Sequence, residues 1–301
     1  MNKRSLPALA LITLMAAGLA AWAAPAGQKD KDKDRESVYK FQEKEEVQKT
    51  LKFADTGKPI TLSIDNVFGG IDVQSADVAA VELVAHKTIR AKTQDKIGKA
   101  KTDVVLKIEQ TGNSIDVYVD GPFRCQVQDC KGLNWRDFGY EVTYEFVLKV
   151  PRRTDLTLKT VNGGDIAVKG AEGDFDVSNV NGKITLEGVA GSGAAHTVNG
   201  RVRAAFTRNP AGACSFHTIN GNVELVFQGG LAADLLLKTM NGEAYSDFDS
   251  TRLPVLPVKR ETREGKTVFQ RNGFTSVRVG KGGPEFRCET LNGDILIKKV
   301  A

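Results

Sequence analysis

Along the second half of the chain, apolar and polar positions alternate in short runs, and one dipeptide, Asn-Gly, keeps breaking them. The strings TVNGGDIAV, NVNGKITLEG, TVNGRVRAAF, TINGNVELVF, TMNGEAYSDF and TLNGDILIKK place asparagines at Asn162, Asn181, Asn199, Asn220, Asn241 and Asn292. Their separations are 19, 18, 21, 21 and 51 residues. NVFGGIDVQS is an earlier, divergent copy with Phe68 in the asparagine position. Four and six places before the asparagine stand Leu158 and Leu156, Val177 and Phe175, Phe216 and Cys214, Leu237 and Leu235, Cys288 and Phe286. Three and five places after it stand Ile184 and Leu186, Val202 and Ala204, Val223 and Leu225, Ile295 and Ile297. Polar residues interleave: Lys159, Ser178, His196, His217, Lys238 and Glu289 all fall three before it. A run of period two has one buried and one solvated face, which predicts strands. Each repeat reads as strand, Asn-Gly corner, strand and a looser Gly-rich connection.

Two architectures share this parity. Asn-Gly is the strongest short hairpin signal, because a type I′ turn needs positive φ at both residues, so an antiparallel meander is one. It would leave a wide apolar face with no amphipathic helix to cover it. Coiling the repeats instead lets the apolar rows bury one another. The expectation is therefore an all-β chain, a parallel β-helix-like solenoid of about 20-residue repeats, with the six asparagines stacked as a ladder roughly 4.8 Å apart.

Two insertions interrupt the repeat, at about 76–150 and 249–285. The first contains AKTQDKIGKAK, which suits a short helix, and two alternating runs about Thr111-Gly112-Asn113-Ser114, which suit an antiparallel strand pair. The second carries Pro254, Pro257 and GKGGP and reads as an excursion at an edge.

The amino terminus has a different grammar. Lys3 and Arg4 precede an apolar core from Leu6 to Leu19, and Ala21-Trp22-Ala23 follows as an A-x-A cleavage signal. This is the pattern of a secretory signal peptide over residues 1–23. Residues 24–40, with QKDKDKDRE, read as a charged tether, and 41–301 as one repeat domain. Removing Lys3 and Arg4 takes the formal net charge from +5 to +3. That near balance, without interleaved basic and aromatic residues, gives no footprint for nucleic acid. No further apolar run suggests a transmembrane segment after cleavage, so the expected location is the periplasm, the cell surface or the medium.

Export puts the four cysteines in an oxidising compartment. Cys125 and Cys130 bracket a short polar loop and are the expected disulfide. Cys214 and Cys288 fall on inward positions, two strand spacings apart if the repeats stack in chain order, and are expected as reduced core thiols. His196 and His217 share one outward position in successive repeats, with Asp176 nearby; they are candidate metal ligands without an assured third, and the ordinary reading is solvated histidines. Glu264-Gly265-Lys266-Thr267 resembles the end of a phosphate-binding loop, but Arg260 stands where that motif needs glycine. No nucleophile elbow, zinc-protease helix or carboxylate pair is evident, so the chain is not expected to be an enzyme or to need a cofactor. The loop at 121–139 carries Phe123, Arg124, Trp135 and Phe138, residue types that anchor interfaces. The same rings could instead cap a sheet edge.

YEFVLKVPRRTDLTLKTVNGGDIAV, the T-x-N-G-x-I strings and the closing GKGGPEFRCETLNGDILI together resemble the bacterial putative-adhesin family over roughly residues 41–300. LSIDNVFGGIDVQSADVAAVELVAHK is similar to that family's opening strands. The resemblance implies export and a β-solenoid domain of unknown function, with no catalytic or binding residues to carry over. The functional expectation is a non-enzymatic cell-envelope protein that binds an envelope protein or a glycan. The alternatives are an accessory envelope-stress protein without a ligand, and a carbohydrate-active β-helix enzyme.

Overall fold

The computed structural model describes residues 38–53, 58–124, 137–254, 259–263, 266–270 and 273–300. Residues from Tyr39 onward form one compact unit. Its first half contains β1 (Phe41–Lys52), β2 (Ile60–Asp65), β3 (Ile71–Ala76), β4 (Ala80–Ala91), a helix α1 (Gln94–Asp103), β5 (Val105–Thr111), β6 (Ser114–Asp120) and β7 (Tyr140–Pro151). The repeats supply β8 (Thr154–Lys159), β9 (Ile166–Lys169), β10 (Phe175–Ser178), β11 (Ile184–Val189), β12 (Gly193–His196), β13 (Val202–Phe206), β14 (Cys214–Asn220) and β15 (Val223–Phe227). The chain continues through β16 (Ala233–Asn241), β17 (Ala244–Ser246), β18 (Ser250–Arg252), β19 (Lys259–Arg263), β20 (Lys266–Gln270), β21 (Thr275–Val279), β22 (Glu285–Asn292) and β23 (Ile295–Lys299).

These strands form two large sheets and a separate β19–β20 pair. The ten-stranded sheet has the order β1-β4-β7-β3-β9-β11-β13-β15-β23-β17, and the eleven-stranded sheet β18-β21-β16-β22-β14-β12-β10-β8-β2-β6-β5. Both are mixed and open, which corrects the solenoid expected from the repeats. The centres pair in parallel, but antiparallel strands finish three of the four ends: β1, β4 and β7 in one sheet, β5 with β6 and β16, β21 and β18 in the other, while β17 closes the remaining end in parallel with β23. Period-two alternation reports which face of a strand is buried; it carries no information on whether its sheet closes. The meander is excluded as well. The two strands flanking each Asn-Gly belong to different sheets, as with β8 and β9, or β10 and β11.

The inward rows named above meet in one hydrophobic cluster fed by both sheets. Phe206, Phe227 and Phe286 stack at ring separations of 5.1 and 5.3 Å, and Phe216 meets Phe206 edge-on at 6.3 Å. α1 closes the interior at the β1–β4–β7 end with Ile97 and Ala100 buried. Beneath it lies Lys87, only 6% exposed, its Nζ donating to the Val104 carbonyl at 3.3 Å.

At the corners, side chains run in columns. Asn181, Asn199 and Asn220 each donate Nδ2 to Oδ1 of the preceding copy's asparagine at 2.6–2.7 Å. Asn292 then donates to Asn220 and Asn241 to Asn292, both at 2.7 Å. The row just inside is buried: Thr197, Thr218 and Thr290 donate to the carbonyls of Gly182, Gly200 and Gly221 at 2.8–2.9 Å. Glycine is required beside it, because a Cβ at Gly182, Gly200 or Gly221 would lie 2.2 Å from the carbonyl oxygen of the glycine one layer away.

The last copy departs from chain order. β22 lies between β14 and β16, and β23 between β15 and β17. Cys214 and Cys288 are therefore on adjacent strands, not two spacings apart as stacking in chain order implied. The 51-residue excursion before Asn292 is long enough for the chain to leave the edge and return one layer inside it.

Candidate binding groove

At the strand ends away from the Asn-Gly corners, the connecting turns enclose a cleft of about 1050 Å³. Lys58 to Ile60 lead into β2, Ala76 to Ala79 link β3 to β4, Pro151 to Arg153 link β7 to β8, and Glu172 to Asp174 precede β10; Arg208 follows β13. Pro59, Val78 and Pro151 supply apolar wall. Within it Arg152 grips Asp77, Nε to Oδ1 at 2.7 Å and a second nitrogen to Oδ2 at 3.3 Å. That bidentate contact holds the Asp77 carboxyl below the usual carboxylate range. Asp155 and Asp174 are turned to the backbone: Asp155 accepts from the Asp174 N–H at 2.8 Å, and Asp174 from the Ser192 N–H at 2.9 Å.

A second hollow of about 640 Å³ lies across the outward faces of β2, β6, β8, β10 and β12. Thr61, Ser63, Ser114, Thr157 and Ser192 line it with hydroxyls, and Asp116 and Asp176 with carboxylates. Both hollows are lined by Asp155 and Asp174, so they adjoin, and the pair is called the groove below. Small polar residues at successive strand positions make it, since any large residue there would fill it.

The residues singled out from sequence lie elsewhere. Phe123 is buried, 6% exposed, meeting Phe68 edge-on at 5.7 Å between ring centres. Arg124 is also turned inward: Nε donates to the Val119 carbonyl at 2.7 Å, and one terminal nitrogen reaches the Asp65 carbonyl at 3.0 Å and Oδ1 at 2.9 Å. Its guanidinium covers the Tyr118 ring at 4.1 Å. Phe138 is half-buried and stacks on Tyr140 at 5.9 Å. These three are packing residues in this structure, not displayed contacts. Trp135, Cys125 and Cys130 lie outside the described residues.

His196 and His217 are in-register partners on β12 and β14, with ring centres 6.1 Å apart and tilted by 57°. Burial lowers the His196 pKa, the neighbouring His217 lowers it further, and Asp176 opposes both. Among the described residues no group of three or more His, Cys, Asp or Glu side chains is placed to hold a metal ion. Cys214 and Cys288 are free and buried; burial pushes the Cys214 thiol up to about 11 and that of Cys288 higher. Of the groove's polar residues, only Asp176, beside the two histidines, stood out in the sequence. The adjacent Arg152 and Arg153 and the small residues Ser63 and Thr157 were visible, but nothing local marks that turns so distant in sequence enclose one cleft.

No protein-family model and no curated protein sequence matches the chain. Solved structures similar to it include a putative cell adhesion protein from Clostridium sporogenes, 11% identical, TM-score 0.40, covering 86% of this chain and 100% of that one. A putative adhesin from Bacteroides fragilis is 10% identical with TM-score 0.35, covering 85% and 97%. A putative lipid binding protein from Parabacteroides distasonis is 11% identical with TM-score 0.31, covering 86% and 97%.

Proposed function

We propose that this chain is an exported, non-enzymatic, adhesin-like protein of the cell envelope that binds a glycan in the groove spanning the turn cleft and the outward faces of β2, β8 and β10. The observation that carries the reading is the lining of the two adjoining hollows. Hydroxyls of Thr61, Ser63, Thr157 and Ser192 and carboxylates of Asp116 and Asp176 line an open trough across parallel strands. Such groups exchange hydrogen bonds with sugar hydroxyls, and strands paired on both sides hold them in place, which limits the ordering cost of binding. The signal-peptide pattern of residues 1–23 supports export. Among the described residues no helix is long and apolar enough to cross a membrane.

Titration of the secreted chain with defined oligosaccharides, followed by calorimetry, tests the reading. Thr157 faces the trough, so Thr157→Tyr should fill it, abolish binding and leave the unfolding temperature nearly unchanged. Saccharide binding that survives Thr157→Tyr would remove the groove from consideration. Absence of binding to any saccharide would favour the accessory role without a ligand.

A further inference from the structure

The cleft end of the groove holds cations whose hydrogen-bonding capacity is unspent. Of its arginines, Arg152 is committed to Asp77 by two hydrogen bonds. Arg153 is not: its side chain is 90% exposed, and among the described residues it reaches only Glu172, at 3.9 Å. Arg208 is exposed and has no ion pair or hydrogen bond among the described residues. Of the acids that line the same cleft, Asp77 is held by Arg152, and Asp155 and Asp174 each have one oxygen on a backbone N–H of the next turn.

Resting on the glycan reading above, we infer that the groove selects an acidic oligosaccharide, oriented with a carboxylate or sulfate between Arg153 and Arg208 and its neutral hydroxyls along the Thr61–Ser63–Thr157 trough. A guanidinium presents a planar fork of donors that matches the two oxygens of a carboxylate or sulfate. The trough end favours the opposite chemistry, because Asp116 and Asp176 accept hydrogen bonds from hydroxyls and repel anions. The polarity of the lining thus sets the direction in which the ligand lies. A membrane surface is disfavoured as the source of the anion, since the hydroxyl-lined trough beside the arginines offers partners to sugar hydroxyls and not to a bilayer.

An oligogalacturonate and its methyl-esterified counterpart differ in charge at each sugar while keeping the ring and hydroxyl pattern, and serve as the probes. The acid should bind at least about tenfold more tightly than the ester at low salt, as expected for charge-assisted contacts. The preference should shrink as salt is raised. The double variant Arg153→Gln, Arg208→Gln should bind the two probes equally, with unchanged thermal unfolding. Equal affinity for acid and ester in the unsubstituted protein, with Thr157→Tyr still abolishing both, would overturn this inference and leave the glycan reading standing. A preference that survives in the double variant would also overturn it. Failure of both probes and of neutral oligosaccharides to bind would overturn the glycan reading itself. Binding of inorganic sulfate alone, without discrimination between the sugars, would reduce the arginines to an anion site and refute the saccharide assignment.

Discussion

Phe216 and Cys288 are in-register partners on adjacent parallel strands, although 72 residues separate them in the chain. The same register sets Cys214 against Phe286. The two thiols are thus offset by two residues on neighbouring strands, a diagonal of roughly 8 Å in a sheet. That exceeds the reach of a disulfide. Iodoacetamide should leave Cys214 and Cys288 unmodified in the folded protein and alkylate both in guanidinium, because burial raises both thiol pKa values. Non-reducing peptide mapping is expected to recover them as thiols and to find Cys125 bonded to Cys130. A recovered Cys214–Cys288 peptide would contradict the register.

Two glycine substitutions should have opposite signs. A Cβ at Gly200 would sit 2.2 Å from the Gly182 carbonyl oxygen, within a column where no backbone atom can retreat without disturbing the next layer. Gly200→Ala should lower stability by about 1–3 kcal/mol. In α1, a Cβ at Gly98 meets nothing within 4 Å. There Gly98→Ala should raise stability by about 0.5–1 kcal/mol through helix propensity. Urea unfolding of both variants checks the pair; equal effects would mean the column is not rigid.

The two polar columns at the corners should differ in worth. Thr218 is fully buried and its hydroxyl donates to the Gly200 carbonyl at 2.8 Å. Thr218→Val keeps the shape, removes the bond, and should cost about 1–2 kcal/mol. Asn199, in the exposed column, exchanges its bonds readily with water, and Asn199→Ala should cost less than about 1 kcal/mol. Equilibrium denaturation should rank them in that order.

Stability should fall in mild acid. The His196 pKa is lowered in the folded state, chiefly by burial and then by His217. The unfolded chain therefore takes up its proton first, and the contribution present above the ordinary histidine pKa of 6.5 is lost as pH falls through the lower folded value. Melting temperatures from pH 7.5 downward should show this loss, and His196→Gln should flatten the slope in that window. An unchanged slope in the variant would show that other groups govern the acid limb.

The strands and their inward faces were legible in the residues. Leu156 and Leu158, Val177, Ile184 and Leu186 are buried where alternation put them, and α1 forms where the Lys-rich stretch of the first insertion suits a helix. Both are local properties: the pleat turns successive side chains to opposite faces, and helix propensity depends on near neighbours. Which strand lies beside which is not local. That β22 enters between β14 and β16, and that both sheets stay open with antiparallel strands at three of their four ends, emerged only in the folded chain. The same holds for the inward turn of Phe123 and for Arg153 and Arg208 lining one cleft. An alternating strand buries its apolar face equally well against many partners, so the pattern of one strand cannot name its neighbour. Packing of the whole core makes that choice, and the groove is where the resulting turns happen to meet.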